Sequence, residues 1–253
     1  PPPSLYICFF GALRENYGQF LRRLAYLIFI LQKMLFDFGT TVVADASGER
    51  LKIALAEGGE VRAHLECRNM AMEGFAQALS DVCGGDPNKV EAFALCVGPG
   101  SMLSTRVASC VVATIAALSG AKLFEWDAMQ VAAFAVSSGF VPDFPACGRL
   151  RILAPSRRGF VNYLDFDGGK IAVQTEAETD SLEPLPDAPA FLLDQRAAVD
   201  PRLADFPRLD LSASAAVRTL AAYPLLARQT DGAPEPKSLV KREYVKWKAQ
   251  AHI

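Results

Sequence analysis

Cys96-Val-Gly-Pro-Gly-Ser-Met-Leu-Ser-Thr-Arg-Val-Ala108 is the stretch on which the fold reading turns. Just before it, Ala92 to Val97 form an apolar run that reads as a short buried strand. Gly98, Pro99 and Gly100 break that strand, and Ser101 has the side chain to cap a helix. From Arg106 to Leu118 the sequence is nearly free of charge and rich in Val, Ala and Ile, so the helix reads as largely buried. A strand, glycine turn and helix in this order can aim backbone N–H groups at an anion. The same residues also make a close-packed corner with no ligand, and the local pattern favours the corner.

Working outward, Thr40 to Ala44 reads as a first strand, Asp45 to Gly48 as a turn, and Arg50 to Ala56 as a second strand. Gly58-Gly59 predicts a hairpin leading into a third strand, Glu60 to Cys67. Asn69 to Val82 has the apolar spacing of a helix. Past the glycine corner come a strand at Lys122 to Glu125 and a helix at Asp127 to Val136. Ser137 to Gly148, with Pro142 and Pro145, is the boundary candidate. A second strand-rich section then repeats the plan loosely: Arg149 to Ala154, Phe160 to Phe166, the turn Asp167-Gly-Gly-Lys170, Ile171 to Thr175, Ala190 to Leu193, and a helix over Leu211 to Ala222 capped by Ser212 or Ser214. This order predicts α/β lobes with mixed sheets.

The 253 residues are 51% hydrophobic, enough for a sizeable core, and the net charge of -2 creates no global attraction to nucleic acid or anionic lipid. Only His64 and His252 are available as imidazole ligands, which excludes a histidine-rich metal site. The 6 cysteines form no CxxC pair; Cys96 and Cys110 sit in apolar runs and read as reduced core thiols of a cytoplasmic protein. Leu24 to Leu31 is strongly apolar but too short to span a bilayer. Residues 13–35 read as an amphipathic helix packed on the body, with no stable membrane insertion.

The chain resembles the TsaB (YeaZ) family, whose fold is the two-lobed actin-like (ribonuclease H-like) ATPase superfold. Gly98-Pro-Gly-Ser101 and Arg106 match the family's hallmark segment, while Met102, Leu103 and Ser104 differ from its aromatic-Thr-Gly. Val42 to Ser47 is similar to its first strand and Asp-Thr-Ser turn. Leu150 to Tyr163 is similar to the hairpin that opens the second lobe, with Arg157, Gly159 and Val161 in agreement and Pro155-Ser156 in place of Asp-Ala. Glu235-Pro236 and Leu239 are similar to the terminal segment. The resemblance covers about residues 38–250 and implies a first lobe over 37–136 and a second lobe over 137–253 whose end returns to the first; residues 1–36 lie outside it and read as a helical N-terminal extension. It also implies a noncatalytic scaffold that pairs with a TsaD-like catalytic paralogue and a third, ATPase subunit in forming N6-threonylcarbamoyladenosine at tRNA position 37. A homodimer through first-lobe helices is expected when the partner is absent.

Three chemistries compete with that reading. An actin-like ATPase or small-molecule kinase needs carboxylates to hold Mg2+ beside phosphates. Asp45 stands where one belongs and Ser47 and Gly48 could form a phosphate loop, but Pro155-Ser156 lack the second carboxylate, and Asp165 and Asp167 read as solvated. An esterase needs Gly-x-Ser-x-Gly, and Ser101 has Pro99 and Leu103 at the flanking positions. A metallopeptidase needs HExxH or clustered ligands, which the sequence lacks. No catalytic, cofactor-binding or metal residues are therefore assigned, and no cofactor is expected. Arg106, near the start of an apolar helix, reads either as a salt bridge fixing the turn or as an interface contact. Lys237 to Lys248, with Tyr244 and Trp247 among the lysines, offers a weak or indirect tRNA contact beside the plainer reading of a solvated tail.

Overall fold

In the first sheet, β1 (Thr40–Asp45), β2 (Leu51–Glu57) and β3 (Glu60–Cys67) form an antiparallel meander. Gly58 and Gly59 take φ of 57° and 85°, the two positive values that a type I′ hairpin turn requires. β4 (Ala92–Cys96) lies parallel to β1 on its other side, and β5 (Lys122–Trp126) parallel to β4. The structure, a computed structural model, describes residues 34–68, 71–193 and 200–239. Most of the helix expected over 13–35 lies outside the described residues, as do Cys8, His252 and the tail from Lys241 to Lys248.

The second sheet repeats the first. β6 (Arg149–Pro155), β7 (Phe160–Asp167) and β8 (Lys170–Glu178) form its meander; β9 (Ala190–Leu193) runs parallel to β6, and β10 (Arg208–Leu209) parallel to β9. Each sheet therefore orders its strands third, second, first, fourth, fifth. A last strand, β11 (Arg228–Thr230), pairs antiparallel with β5 and returns the chain to the first sheet.

Four helices complete the layers among the described residues: α1 (Ala71–Val82), α2 (Met102–Ser119), α3 (Ala128–Ser137) and α4 (Ala213–Ala222). α1 and α2 cover one face of the first sheet, where Phe75, Leu79, Val112 and Ala116 meet Val42, Ile53, Phe93 and Leu95. α3 and α4 fill the space between the sheets, joining Val43, Ala94 and Trp126 from one to Leu150, Ile152 and Phe166 from the other. α3 is buried nearly all round, which is why its sequence is apolar all round. Side-chain caps start these helices: Ser101 Oγ accepts from Ser104 N, Asp127 Oδ1 from Met129 N and Gln130 N, and Ser212 Oγ from Ala215 N. This is the two-lobed α/β architecture with mixed sheets that the sequence predicts.

Two expectations need correction. α2 has the length and composition of a membrane-crossing helix, but it is not largely buried. Only Thr105, Ala108, Ser109, Val112 and Ala116 are. A helix lying on a sheet offers it one stripe: Val111 and Ile115 flank that stripe half-buried, while Met102, Leu103, Cys110, Ala117 and Leu118 face outward. Cys110 is one of them and is exposed rather than a core thiol, whereas Cys96 is fully buried and desolvation pushes its thiol pKa well up.

Candidate functional site

The glycine corner is held on three sides. Ser101 N donates to Ser47 O at 2.7 Å, Ala128 N donates to Gly98 O at 2.9 Å, and Lys237 N donates to Val97 O at 2.8 Å. Gly98 has φ 122°, a value open only to glycine in practice. Gly100 is needed for another reason: a Cβ there would lie 2.3 Å from Ser47 O. These bonds, with Ser104 N donating to Ser101 Oγ, tie the corner to the β1 turn, to α3 and to the terminal segment.

Asp45 closes the adjoining turn. Its Oδ1 accepts from Ser47 N at 2.8 Å and from Ser47 Oγ at 2.6 Å. Beside it, between the lobes, is a void of about 10 Å3 bordered by Asp45, Gly48, Lys52 and Leu209, with room for no more than about one water. The lobes are tied together there. Lys52, buried on β2, donates to Asp210 and, at 2.8 Å, to Leu211 O, while Arg50 Nη1 reaches Asp210 Oδ2 at 3.2 Å. Nothing in the sequence around Asp210 signals this tie, because its partners lie about 160 residues away.

A larger cleft of about 290 Å3 opens on the other side of the corner, where Ser101 faces Ser156, Arg157, Asn162 and Glu176 of the second lobe and Lys237 of the terminal segment. Pro155 and Ser156 sit there, as the hairpin resemblance implies, without a carboxylate of their own. Glu176 of β8, a residue the sequence does not single out, supplies one. Its side chain is 5% exposed, lies 3.5 Å from Arg157 Nη2, and accepts a hydrogen bond from Ser156 Oγ. The signal that could have found it is strand register: Asn162 pairs with Glu176 across β7 and β8, but a bulge at Asp165/Phe166 shifts the count from the turn. Arg157 also stacks on Phe160, 3.5 Å from the ring centroid. Among the described residues no three His, Cys, Asp or Glu side chains gather to hold a metal ion.

Other residues raised by the sequence fall elsewhere. Asp165 is not simply solvated: it takes a bidentate pair from Arg151 at 2.6 and 2.8 Å, because the two stand opposite each other in register on β7 and β6. Asp167 is exposed, with Arg149 at 3.9 Å. Arg106 is exposed on α2 and has no ion pair among the described residues. His64 is exposed on β3. Lys237 binds Glu125 at 3.2 Å, a buried carboxylate that Arg228 also contacts.

Asp127 is buried between the lobes, and desolvation raises its pKa despite hydrogen bonds from Gln174 and the α3 backbone. A carboxyl whose folded pKa exceeds its unfolded value binds protons more readily when folded, so it adds stability as pH falls and loses it as pH rises through the folded pKa. Asp127→Asn keeps the Oδ1 cap, and the linked amides of Gln174 and Gln130 can flip in sequence to satisfy the new N–H2. The variant is more stable than wild type at neutral pH. That gain shrinks as pH drops toward the ordinary carboxylate range. Urea denaturation at pH 7 and pH 4.5 checks it; an equal difference at both pH values contradicts the assignment.

Comparison with solved structures places the fold. YeaZ from Pseudomonas aeruginosa superposes with a TM-score of 0.57 at 15% sequence identity, covering 79% of this chain and 100% of that one. The chain shares the YeaZ fold. An uncharacterized protein with similarity to peptidase YEAZ from Pseudomonas aeruginosa matches with a TM-score of 0.55 at 16% identity, covering 80% of this chain and 100% of that one. No protein-family model matches the sequence, and no curated protein sequence does.

Proposed function

We propose that the chain is a noncatalytic scaffold subunit that pairs with a TsaD-like enzyme, together with an ATPase subunit, in forming N6-threonylcarbamoyladenosine at position 37 of tRNA in the cytoplasm. The observation that carries this reading is the outward face of α2. Leu103 is 58% exposed and Leu118 79% exposed, with Cys110 and Ala117 exposed between them. Ordinary surface helices turn charge outward, and burying one such leucine is worth about 1.5–3 kcal/mol. Among the small apolar residues of α1 and α2, Ala78 and Ala108 are core, whereas Ala76 and Ala117 are exposed and Val111 and Ala113 half-buried. Arg106 interrupts the stripe with one charge, which suits it to register a partner. In isolation the same face pairs two copies. The filled turn beside Asp45 supports the noncatalytic part of the reading over a kinase.

The test is genetic and chemical together. Depleting the chain abolishes the modified nucleoside as measured by mass spectrometry of bulk tRNA, and the wild-type chain restores it. Leu103→Asp/Leu118→Asp, which alters two exposed positions, stays folded, is monomeric by light scattering where the wild type is dimeric, and restores less than about a tenth of the modification. Normal modification after complete depletion, with no second paralogue present, overturns the proposal.

A further inference from the structure

We infer that two copies of the chain pair with their α2 helices antiparallel about Cys110, and that Arg106 of each copy sits on Asp231 of the other. The inference rests on the reading of α2 as an interface and supplies its register and its contacts. A two-fold contact needs a surface that complements itself, and the outward face of α2 does. Leu103, Cys110 and Ala117 follow one another at heptad spacing along one seam, and all three are exposed. Cys110 is at the middle of Met102–Ser119. A two-fold axis passing it sets Leu103 of one copy level with Ala117 of the other, and Arg106 level with Thr114.

At that level a groove of about 310 Å3 runs beside α2, lined by Ala113, Ala116, Ala117, Lys122, Thr230 and Asp231. Two contacts hold its outer wall in place: β11 pairs with β5, and Ser109 Oγ donates to Pro234 O at 2.5 Å. The alanines leave room for Met102 and Leu103, the larger side chains exposed at the other end of the same helix. Charge then selects the antiparallel sense. Arg106 and Asp231 are both exposed, and neither has an ion pair among the described residues. At 3.6 residues per turn, Arg106 and Ala113 fall on the same side of the Leu103–Cys110–Ala117 seam, the side on which the groove opens. A two-fold axis across the helices lays that side of one copy against the same side of the other. Helix side chains lean toward the amino terminus. In an antiparallel copy this carries Arg106 along the groove toward Asp231. A parallel pair would instead put the two Arg106 side chains at one level, with no carboxylate on α2 to meet them.

The experiment measures the dimer dissociation constant of the purified full-length chain by sedimentation equilibrium, and uses Cys110 as a reporter of register. Arg106→Asp and Asp231→Arg each raise the dissociation constant about tenfold, because each variant breaks two symmetric pairs and sets like charges together. The charge swap Arg106→Asp/Asp231→Arg restores it to within about threefold of wild type. Packed helices lie about 8–10 Å apart, so two residues facing each other at the axis come within disulfide reach, about 4.4–6.8 Å between Cα atoms. Oxidised glutathione therefore traps a covalent dimer on non-reducing gels. The two Cys110 thiols lose two electrons and two protons to form one disulfide, and the glutathione disulfide takes these up to leave as two thiols. Cys110→Ser abolishes the trapped dimer. A swap no better than the single variants overturns the inference, as does a covalent dimer that Cys110→Ser leaves unchanged. If a charge variant does not fold by circular dichroism, the Cys110→Ser comparison decides alone. A dimer that passes neither test but is broken by Leu103→Asp/Leu118→Asp leaves the interface reading standing and removes only this register. A chain that is monomeric throughout removes the pairing of copies, while the nucleoside assay still decides the scaffold function.

Discussion

Gly100→Ala lowers the melting temperature by about 6–12 °C. The added methyl would sit 2.3 Å from Ser47 O and 2.7 Å from Ser47 Cβ, and the first of these is backbone that no rotamer change can clear. Either the turn after β1 or the corner after β4 must move, and with it goes the 2.7 Å bond from Ser101 N to Ser47 O. Overpacking plus a lost buried hydrogen bond is worth about 3 kcal/mol. At this chain length each kcal/mol shifts the transition by about 2–4 °C. Gly84→Ala is the control. Gly84 has φ 65° but nothing within 4 Å of where its methyl would stand, so it registers backbone conformation alone, about 1–2 kcal/mol. Calorimetry of the two variants side by side separates contact from conformation. A Gly100→Ala loss no larger than that of Gly84→Ala would mean that the two turns can part freely.

Asp165→Ala is expected to destabilise the protein by about 3–5 kcal/mol, the range for stripping the partner from a buried ion pair. Arg151 then keeps its charge in a nearly enclosed position. The carbonyl of Glu183 and the face of Tyr163, 4.9 Å from the guanidinium carbon, are its remaining contacts. Asp165 itself is what holds the Arg151 pKa above the usual guanidinium value. Removing both charges, in Arg151→Met/Asp165→Leu, recovers most of the loss because two apolar side chains suit the neighbouring Leu153 and Tyr163. Denaturant midpoints of the two single variants and the double variant close the cycle. A double variant as weak as Asp165→Ala would show that β6 and β7 need the pair for geometry rather than for charge balance.

These two sites differ in how far the sequence announces them. The glycine corner is legible because its signals are local: an apolar run, then Gly-Pro-Gly, then a serine cap. The caps at Ser101, Asp127 and Ser212, the Gly58-Gly59 and Gly168-Gly169 hairpins and nearly every strand of both meanders are legible for the same reason. Asp165 is not, because a carboxylate on a strand reads as solvated until register puts Arg151 opposite. A one-residue bulge hides Glu176, and sequence distance hides the Lys52–Asp210 tie. β10 and β11 are 2 and 3 residues long, too short for any periodicity. The exposed stripe of α2 reads as buried for a physical reason: apolar composition records that a helix face avoids water, but not which surface covers it.

The return of the chain to the first sheet sets an order of events during synthesis. α4 packs against that sheet and β11 covers the edge of β5, yet about 100 residues separate β11 from β5 in the chain. At roughly 5–20 residues per second, the ribosome leaves that edge unpaired for about 5–20 s after β5 emerges. An open edge strand is a template for pairing with other chains. The newborn amino-terminal half is therefore the stage at which this protein most needs a chaperone, and its last described strand acts as the latch that ends that need.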